Sequence, residues 1–111
     1  MKTTIYHNPR CSKSRAALAL LEQAGAEVAI HDYLRDPLTA AELSRLYGLA
    51  GIHPRDGLRL AEPGAAALRD ADAMTILAAM ELTPALIERP LVETERGVVI
   101  ARPPERVHEI L

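Results

Sequence analysis

The spacing of apolar positions changes along this chain, and each change marks an element. Thr3-Thr4-Ile5-Tyr6-His7 is a β-branched and aromatic run that reads as a strand, within a strand-like stretch beginning at Met1, and Asn8-Pro9 ends it with turn chemistry. From Ser12 or Ser14 onward, Ala17, Leu18, Leu20, Leu21 and Ala24 recur at helical spacing, with Gly25 as the stop. Glu27 to Asp32 returns to a strand pattern in which Val28 and Ile30 are apolar. A helix crosses between the two strands, so they are expected to be parallel. The opening is βαβ.

Beyond Asp36-Pro37 the pattern is helical but broken. Thr39 with Glu42 forms a capping box ahead of Leu43, Leu46 and Tyr47, Pro54 opens a short helix to Leu60, and Glu62-Pro63-Gly64 makes a loop. Asp70 to Glu81 carries Ala73, Leu77 and Met80 at helical spacing, with Met74 beside them, and Thr83-Pro84 begins another short helix to about Glu88. Leu91-Val92-Glu93-Thr94 and Val98-Val99-Ile100-Ala101 flank Glu95-Arg96-Gly97 as a β-hairpin. Pro103-Pro104-Glu105 then opens a last helix through Val107 and Ile110 to Leu111. The order predicts an α/β sandwich, βαβ followed by ββα, with a helical insertion over about 38–88 of a single 1–111 domain. Thioredoxin-like domains have this plan, and other α/β sandwiches share the pattern.

Composition narrows the picture. A chain of 111 residues, 49% of them hydrophobic, suffices for one core, which must be built from Leu, Ile, Val, Met and Ala because there is no Trp or Phe and only three Tyr. A formal net charge of -2 gives no footprint for nucleic acid or an anionic membrane surface, so any anion site must be local. No apolar run is long enough to span a bilayer and the first residues do not read as a signal peptide, which makes the cytoplasm the expected location. His31, His53 and His108 lack partners at metal-ligand spacing, and no metal or bound cofactor is expected.

One cysteine remains, Cys11, excluding an internal disulfide and a Cys-x-x-Cys zinc site. It lies between a strand and the first turn of a helix, where unpaired N–H groups and the positive end of the dipole stabilise a thiolate. His7, Arg10, Lys13, Ser14 and Arg15 place cations or donors close by in sequence. The plain alternative is a buried thiol packed as a small hydrophobe, and the polar flanks Pro9-Arg10 and Ser12-Lys13-Ser14 argue against it. A phosphatase loop needs Arg six residues after its cysteine, where this chain has Ala17, and a dithiol motif needs Cys where it has Ser14.

The segment Ile5-Tyr6-His7-Asn8-Pro9-Arg10-Cys11-Ser12-Lys13-Ser14-Arg15 resembles the active-site segment of the glutaredoxin-coupled arsenate reductase family. His31-Asp32-Tyr33-Leu34 with Pro37, Gly57-Leu58-Arg59, Glu88-Arg89-Pro90-Leu91-Val92 and Ala101-Arg102-Pro103-Pro104-Glu105 follow in that family's order. The resemblance implies that Cys11 attacks arsenate, that Arg59, Arg89 and Arg102 hold the oxyanion, and that His7 and Ser14 tune the thiolate. Guanidinium suits that task, offering fixed N–H donors without losing its charge. Taken singly, each arginine also reads as a solvated surface residue, and Arg55, four positions before Arg59, would share a helical face with it. The resemblance also puts Pro90 in the place of a cis proline facing the cysteine, against the plain reading of a trans proline that starts a strand.

The implied activity is thiol-dependent reduction of arsenate to arsenite, with glutathione as external reductant and glutaredoxin as partner. Two other readings use the same fold: a general glutathione-linked thiol oxidoreductase, and a non-catalytic redox-sensing regulator of the Spx branch. The missing Cys-x-x-Cys switch and the three candidate arginines favour an enzyme over a regulator.

Overall fold

The structure is a computed structural model that describes residues 2–111; Met1, the first residue of the opening strand-like stretch, lies outside them. The chain divides into two compact units, one of residues up to Asp36 together with Arg89–Leu111, the other of Pro37–Glu88. The residues read as a helical insertion fall in the second unit.

The first unit holds β1 (Lys2–His7), α1 (Ser12–Gln23), β2 (Glu27–Asp32), β3 (Leu91–Thr94) and β4 (Gly97–Ile100), closed by a 3-10 helix over Pro104–Ile110. Its sheet has the order β2-β1-β3-β4. β1 and β2 are parallel, with His7 beside Asp32, while β1 and β3 are antiparallel, with Ile5 opposite Val92. This is the expected thioredoxin-like βαβ and ββα order. Ile5, Val92 and Val99 of the sheet pack with Ala17 and Leu21 of α1 and with Val107 and Ile110 of the closing segment. The helix stop is also as expected: Gly25 takes φ 77° and its N–H donates to the Glu22 carbonyl.

Two elements of this unit differ from their sequence reading. The last segment winds as a 3-10 helix because its buried residues, Pro104, Val107 and Ile110, are three apart, the period of that helix. In β2 the alternation is misleading: the strand is at the sheet edge, and Ile30 is 57% exposed.

The second unit contains α2 (Ala40–Ala50), α3 (Ala65–Leu68) and α4 (Ala73–Leu82), with 3-10 turns at Pro54–Gly57 and Pro84–Leu86. Thr39 caps α2 by accepting from the Glu42 N–H at 3.1 Å, whereas the Glu42 carboxylate lies 3.6 Å from Arg45, so the box is half-formed as a cap. α4 begins later than its periodicity suggests because Asp72 accepts from the Thr75 N–H at 2.8 Å and sets the first turn there. Met74 is exposed rather than part of the packed face. The helix expected from Pro54 to Leu60 stops at Gly57, after which Leu58 bridges to Ile87. α3, behind Gly64 at φ 90°, has no counterpart in the sequence reading. Among the described residues no helix is long and apolar enough to cross a membrane.

Candidate functional site

The site begins where β1 ends. Asn8 folds the chain back: its carbonyl accepts from the Cys11 N–H and its side-chain oxygen from the Arg10 N–H, each at 3.0 Å. Cys11 follows with extended φ and ψ as the cap residue of α1, and its carbonyl accepts the first helical bond from the Arg15 N–H. The turn therefore delivers the cysteine to the mouth of a helix, as its sequence position implied. Only 9% of Cys11 is exposed.

Burial by itself would raise the thiol's pKa. The Ser14 N–H, the Arg89 side chain and the Lys13 N–H together outweigh it, and the Arg89 charge adds to them, so Cys11 titrates below its ordinary range. Among the described residues no close capping hydrogen bond ties the sulfur to the helix. The N–H groups act on it as dipoles at the helix start. Of the neighbouring cations, Lys13 acts through its backbone N–H, while Arg15 donates its side chain to the Pro9 carbonyl at 2.9 Å.

Two arginines distant in sequence are brought to this sulfur by β3 and by the segment after β4. Arg102 Nη1 stands 4.0 Å from Cys11 Sγ and donates to the Arg89 carbonyl at 3.0 Å. Arg89 Nε is buried and has no hydrogen-bond partner among the described residues. The peptide bonds Arg89–Pro90 and Arg102–Pro103 are both cis. Only the first was raised by the sequence, although both pairs are Arg-Pro and the second offered the same signal.

His7 and Ser14 meet behind the turn. His7 Nδ1 and Ser14 Oγ are hydrogen-bonded at 2.6 Å, and the same hydroxyl oxygen accepts from the Asn8 N–H at 3.1 Å. Both side chains are buried. Burial lowers the pKa of His7, the Asp32 carboxylate opposes that, and the Arg15 charge lowers it further, so the imidazole titrates below its ordinary value. Ser14 thus reaches the thiol through its backbone N–H, and its hydroxyl is spent on holding His7 and the turn. Asp32, which acts on His7 from the neighbouring strand, was missed in sequence, where only its register against His7 could have shown it.

Arg59 belongs to the second unit. It does not share a helical face with Arg55, because the 3-10 turn has already ended: its N–H donates to the Leu86 carbonyl at 2.8 Å and its guanidinium lies 3.5 Å from Glu62. Arg55 instead donates from both its backbone N–H and its Nε to His53 Nδ1. His31 is paired with Asp36, Nε2 lying 3.5 Å from the carboxylate. Among the described residues no three His, Cys, Asp or Glu side chains are grouped to hold a metal ion.

With this geometry in view, the comparisons with known proteins are specific. Residues 6–110 match the ArsC family. An arsenate reductase of Rhizobium meliloti is 39% identical over an alignment covering 100% of this chain and 82% of its own. An uncharacterized protein of Escherichia coli, YfgD, is 41% identical, covering 96% and 94% respectively. Among solved structures, an arsenate reductase from Vibrio cholerae superposes with a TM-score of 0.93 at 40% identity, covering 100% of this chain and 98% of that one.

Proposed function

This chain belongs to the ArsC family, and from that membership we propose that it reduces arsenate to arsenite through a covalent adduct on Cys11, with electrons from external thiols. The observation that carries the reading is the pairing of a low-pKa thiol with two guanidinium groups: Arg102 stands 4.0 Å from the sulfur and Arg89 keeps a buried, unpartnered Nε. An uncompensated buried donor is costly, and an oxyanion bonded at the sulfur would satisfy it. Arg59 is assigned as a third oxyanion ligand from the family pattern.

The chemistry balances in four steps. The Cys11 thiolate attacks arsenic and a hydroxyl leaves as water. A first thiol condenses on arsenic and expels a second water. A second thiolate then attacks the sulfur of the first, forming a disulfide and leaving the bonding pair on arsenic, which passes from As(V) to As(III). Water finally cleaves the Cys11–arsenic bond, releasing arsenite and the thiolate. One arsenate and two thiols give arsenite, one disulfide and one water. Since the chain has a single cysteine, both electrons come from outside, and we assign them to glutathione and a glutaredoxin in the reducing cytoplasm. Arsenite formation measured with arsenate, glutathione and glutaredoxin tests the assignment: wild type should turn over, Cys11→Ser should not, and arsenite formation by Cys11→Ser at the wild-type rate would overturn it.

A further inference from the structure

We propose that Cys11 carries out a second reaction, the reduction of hydrogen peroxide by external thiols, with Arg102 and Arg89 as donors to the departing oxygen. Arg102 Nη1 stands 4.0 Å from Cys11 Sγ and is held there by its hydrogen bond to the Arg89 carbonyl at 3.0 Å. Arg89 Nε is buried and has no hydrogen-bond partner among the described residues. All three residues belong to the first unit, so this chemistry needs no residue of the second.

A thiolate reduces a peroxide by attacking one oxygen in line with the O–O bond. The S–O bond forms as the O–O bond breaks, the sulfur is oxidised by two electrons, and the second oxygen leaves with the bonding pair as hydroxide. That hydroxide takes the remaining proton of the attacked oxygen, so thiolate and hydrogen peroxide give sulfenate and water. A first thiol then condenses on the protonated sulfenate, expelling a second water and leaving a mixed disulfide on Cys11. A second thiolate attacks the outer sulfur of that disulfide and the Cys11 thiolate leaves. One hydrogen peroxide and two thiols give one disulfide and two waters.

The geometry suits each stage. Negative charge develops on the leaving oxygen, and guanidinium groups already fixed beside the sulfur stabilise it without reorganising. The sulfenate is itself an anion bonded at the sulfur, and its oxygen gives the buried Arg89 Nε an acceptor. Only 9% of Cys11 is exposed, and hydrogen peroxide is small and uncharged, so it enters without the desolvation cost of an ion. The reactive form is also favoured, because the Ser14 and Lys13 N–H groups and the Arg89 side chain lower the pKa of the thiol. A cysteine packed only as a small hydrophobe has none of these partners.

Reduced protein treated with hydrogen peroxide and trapped with dimedone should carry one adduct by mass spectrometry, on Cys11. Per thiolate, its oxidation should run about a hundredfold faster than that of glutathione measured alongside, about tenfold for each of two hydrogen bonds to a charged oxygen. Arg102→Leu and Arg89→Leu should each lower the ratio of the peroxide rate to the iodoacetamide alkylation rate by about tenfold. That ratio cancels any change in thiolate fraction. With glutathione present, wild type should consume peroxide well beyond one equivalent, and Cys11→Ser no faster than glutathione alone. A wild-type rate per thiolate equal to that of glutathione, consumption that stops at one equivalent, or ratios unchanged in both arginine variants would overturn the proposal. The wild-type comparison stands even if a variant misfolds. Arsenate enters none of these readouts: peroxide turnover without arsenite formation would defeat the reductase reading alone, and the reverse result would defeat this one alone.

Discussion

Arg102 Nη1 donates to the carbonyl oxygen of Arg89 at 3.0 Å, and from that position it stands 4.0 Å from Cys11 Sγ. The backbone of one candidate ligand thus aims the side chain of the other. A planar guanidinium can hold the carbonyl with one N–H and keep others for an oxyanion, whereas a lysine ammonium has no such fork.

Arg102→Lys and Arg89→Lys should therefore each lower kcat/KM for arsenate by about tenfold to a hundredfold, the equivalent of losing a hydrogen bond to a charged group. Far-ultraviolet circular dichroism should stay unchanged. Wild-type kcat/KM in both variants would remove these residues from the oxyanion site. Arg89→Gln should also raise the titration midpoint of Cys11, because the Arg89 hydrogen bond and charge both lower it.

Thiolate formation should be visible in the pH dependence of alkylation. The rate should reach its half-maximum below the free-cysteine value of about 8.5, and a midpoint at or above it would mean an unactivated thiol. Stability is linked with the same sign. The folded pKa is depressed, so the associated stabilisation is fully present above the unfolded pKa and is lost as pH falls through the folded one. The difference in unfolding free energy between wild type and Cys11→Ser should consequently grow as pH rises toward about 8.5.

His7 gives a second pH signature. Its pKa lies below the ordinary value, chiefly through burial, so its contribution is complete above about pH 6.5 and is lost as pH falls through the folded pKa. Protein NMR should place the His7 midpoint below about 6.5, and His7→Gln should flatten the acid limb of stability. A midpoint above the ordinary value would mean that Asp32, and not burial, governs the imidazole.

Sequence carried the sheet and the candidate nucleophile further than it carried the second unit. Thr3 to His7, the helix up to Gly25 and the hairpin at Glu95-Arg96 were legible because each has a strong period bounded by a turn residue. The Cys11 turn was legible because its chemistry is local. Arg102 aimed by the Arg89 carbonyl, and Asp32 beside His7, depend on tertiary register, which no local pattern encodes. Around Pro54 and Ala65 the elements are one turn long, too short for periodicity to separate helix from loop. The closing segment shows the opposite case, since its spacing of three is present in the sequence, where it resembles that of an ordinary helix.

Gly57 tests how the second unit holds the loop that leads to Arg59. A Cβ added there would overlap the ring of Tyr47, which is itself buried. Gly57→Ala should destabilise the protein by about 1–3 kcal/mol, as overpacking does, measured by urea unfolding. Wild-type stability would show that the Tyr47 ring moves aside freely.

Ser14 separates the two ways in which a residue can serve this site. Its hydroxyl accepts from the Asn8 N–H at 3.1 Å and is bonded to His7 Nδ1 at 2.6 Å, and it is fully buried. Its backbone N–H, in contrast, is among the groups that lower the Cys11 pKa. Ser14→Ala removes the first role and keeps the second. Leaving buried polar partners unpaired should cost about 1–3 kcal/mol of stability, while the alkylation midpoint of Cys11 stays well below the free-thiol value because the helix-start N–H groups and Arg89 remain. His7 should respond, since its ring has lost the Ser14 hydroxyl as a partner, and its NMR midpoint should move. If Ser14→Ala instead returned the Cys11 midpoint to about 8.5 with little loss of stability, the hydroxyl would be the element that activates the thiol, and the backbone account would be wrong.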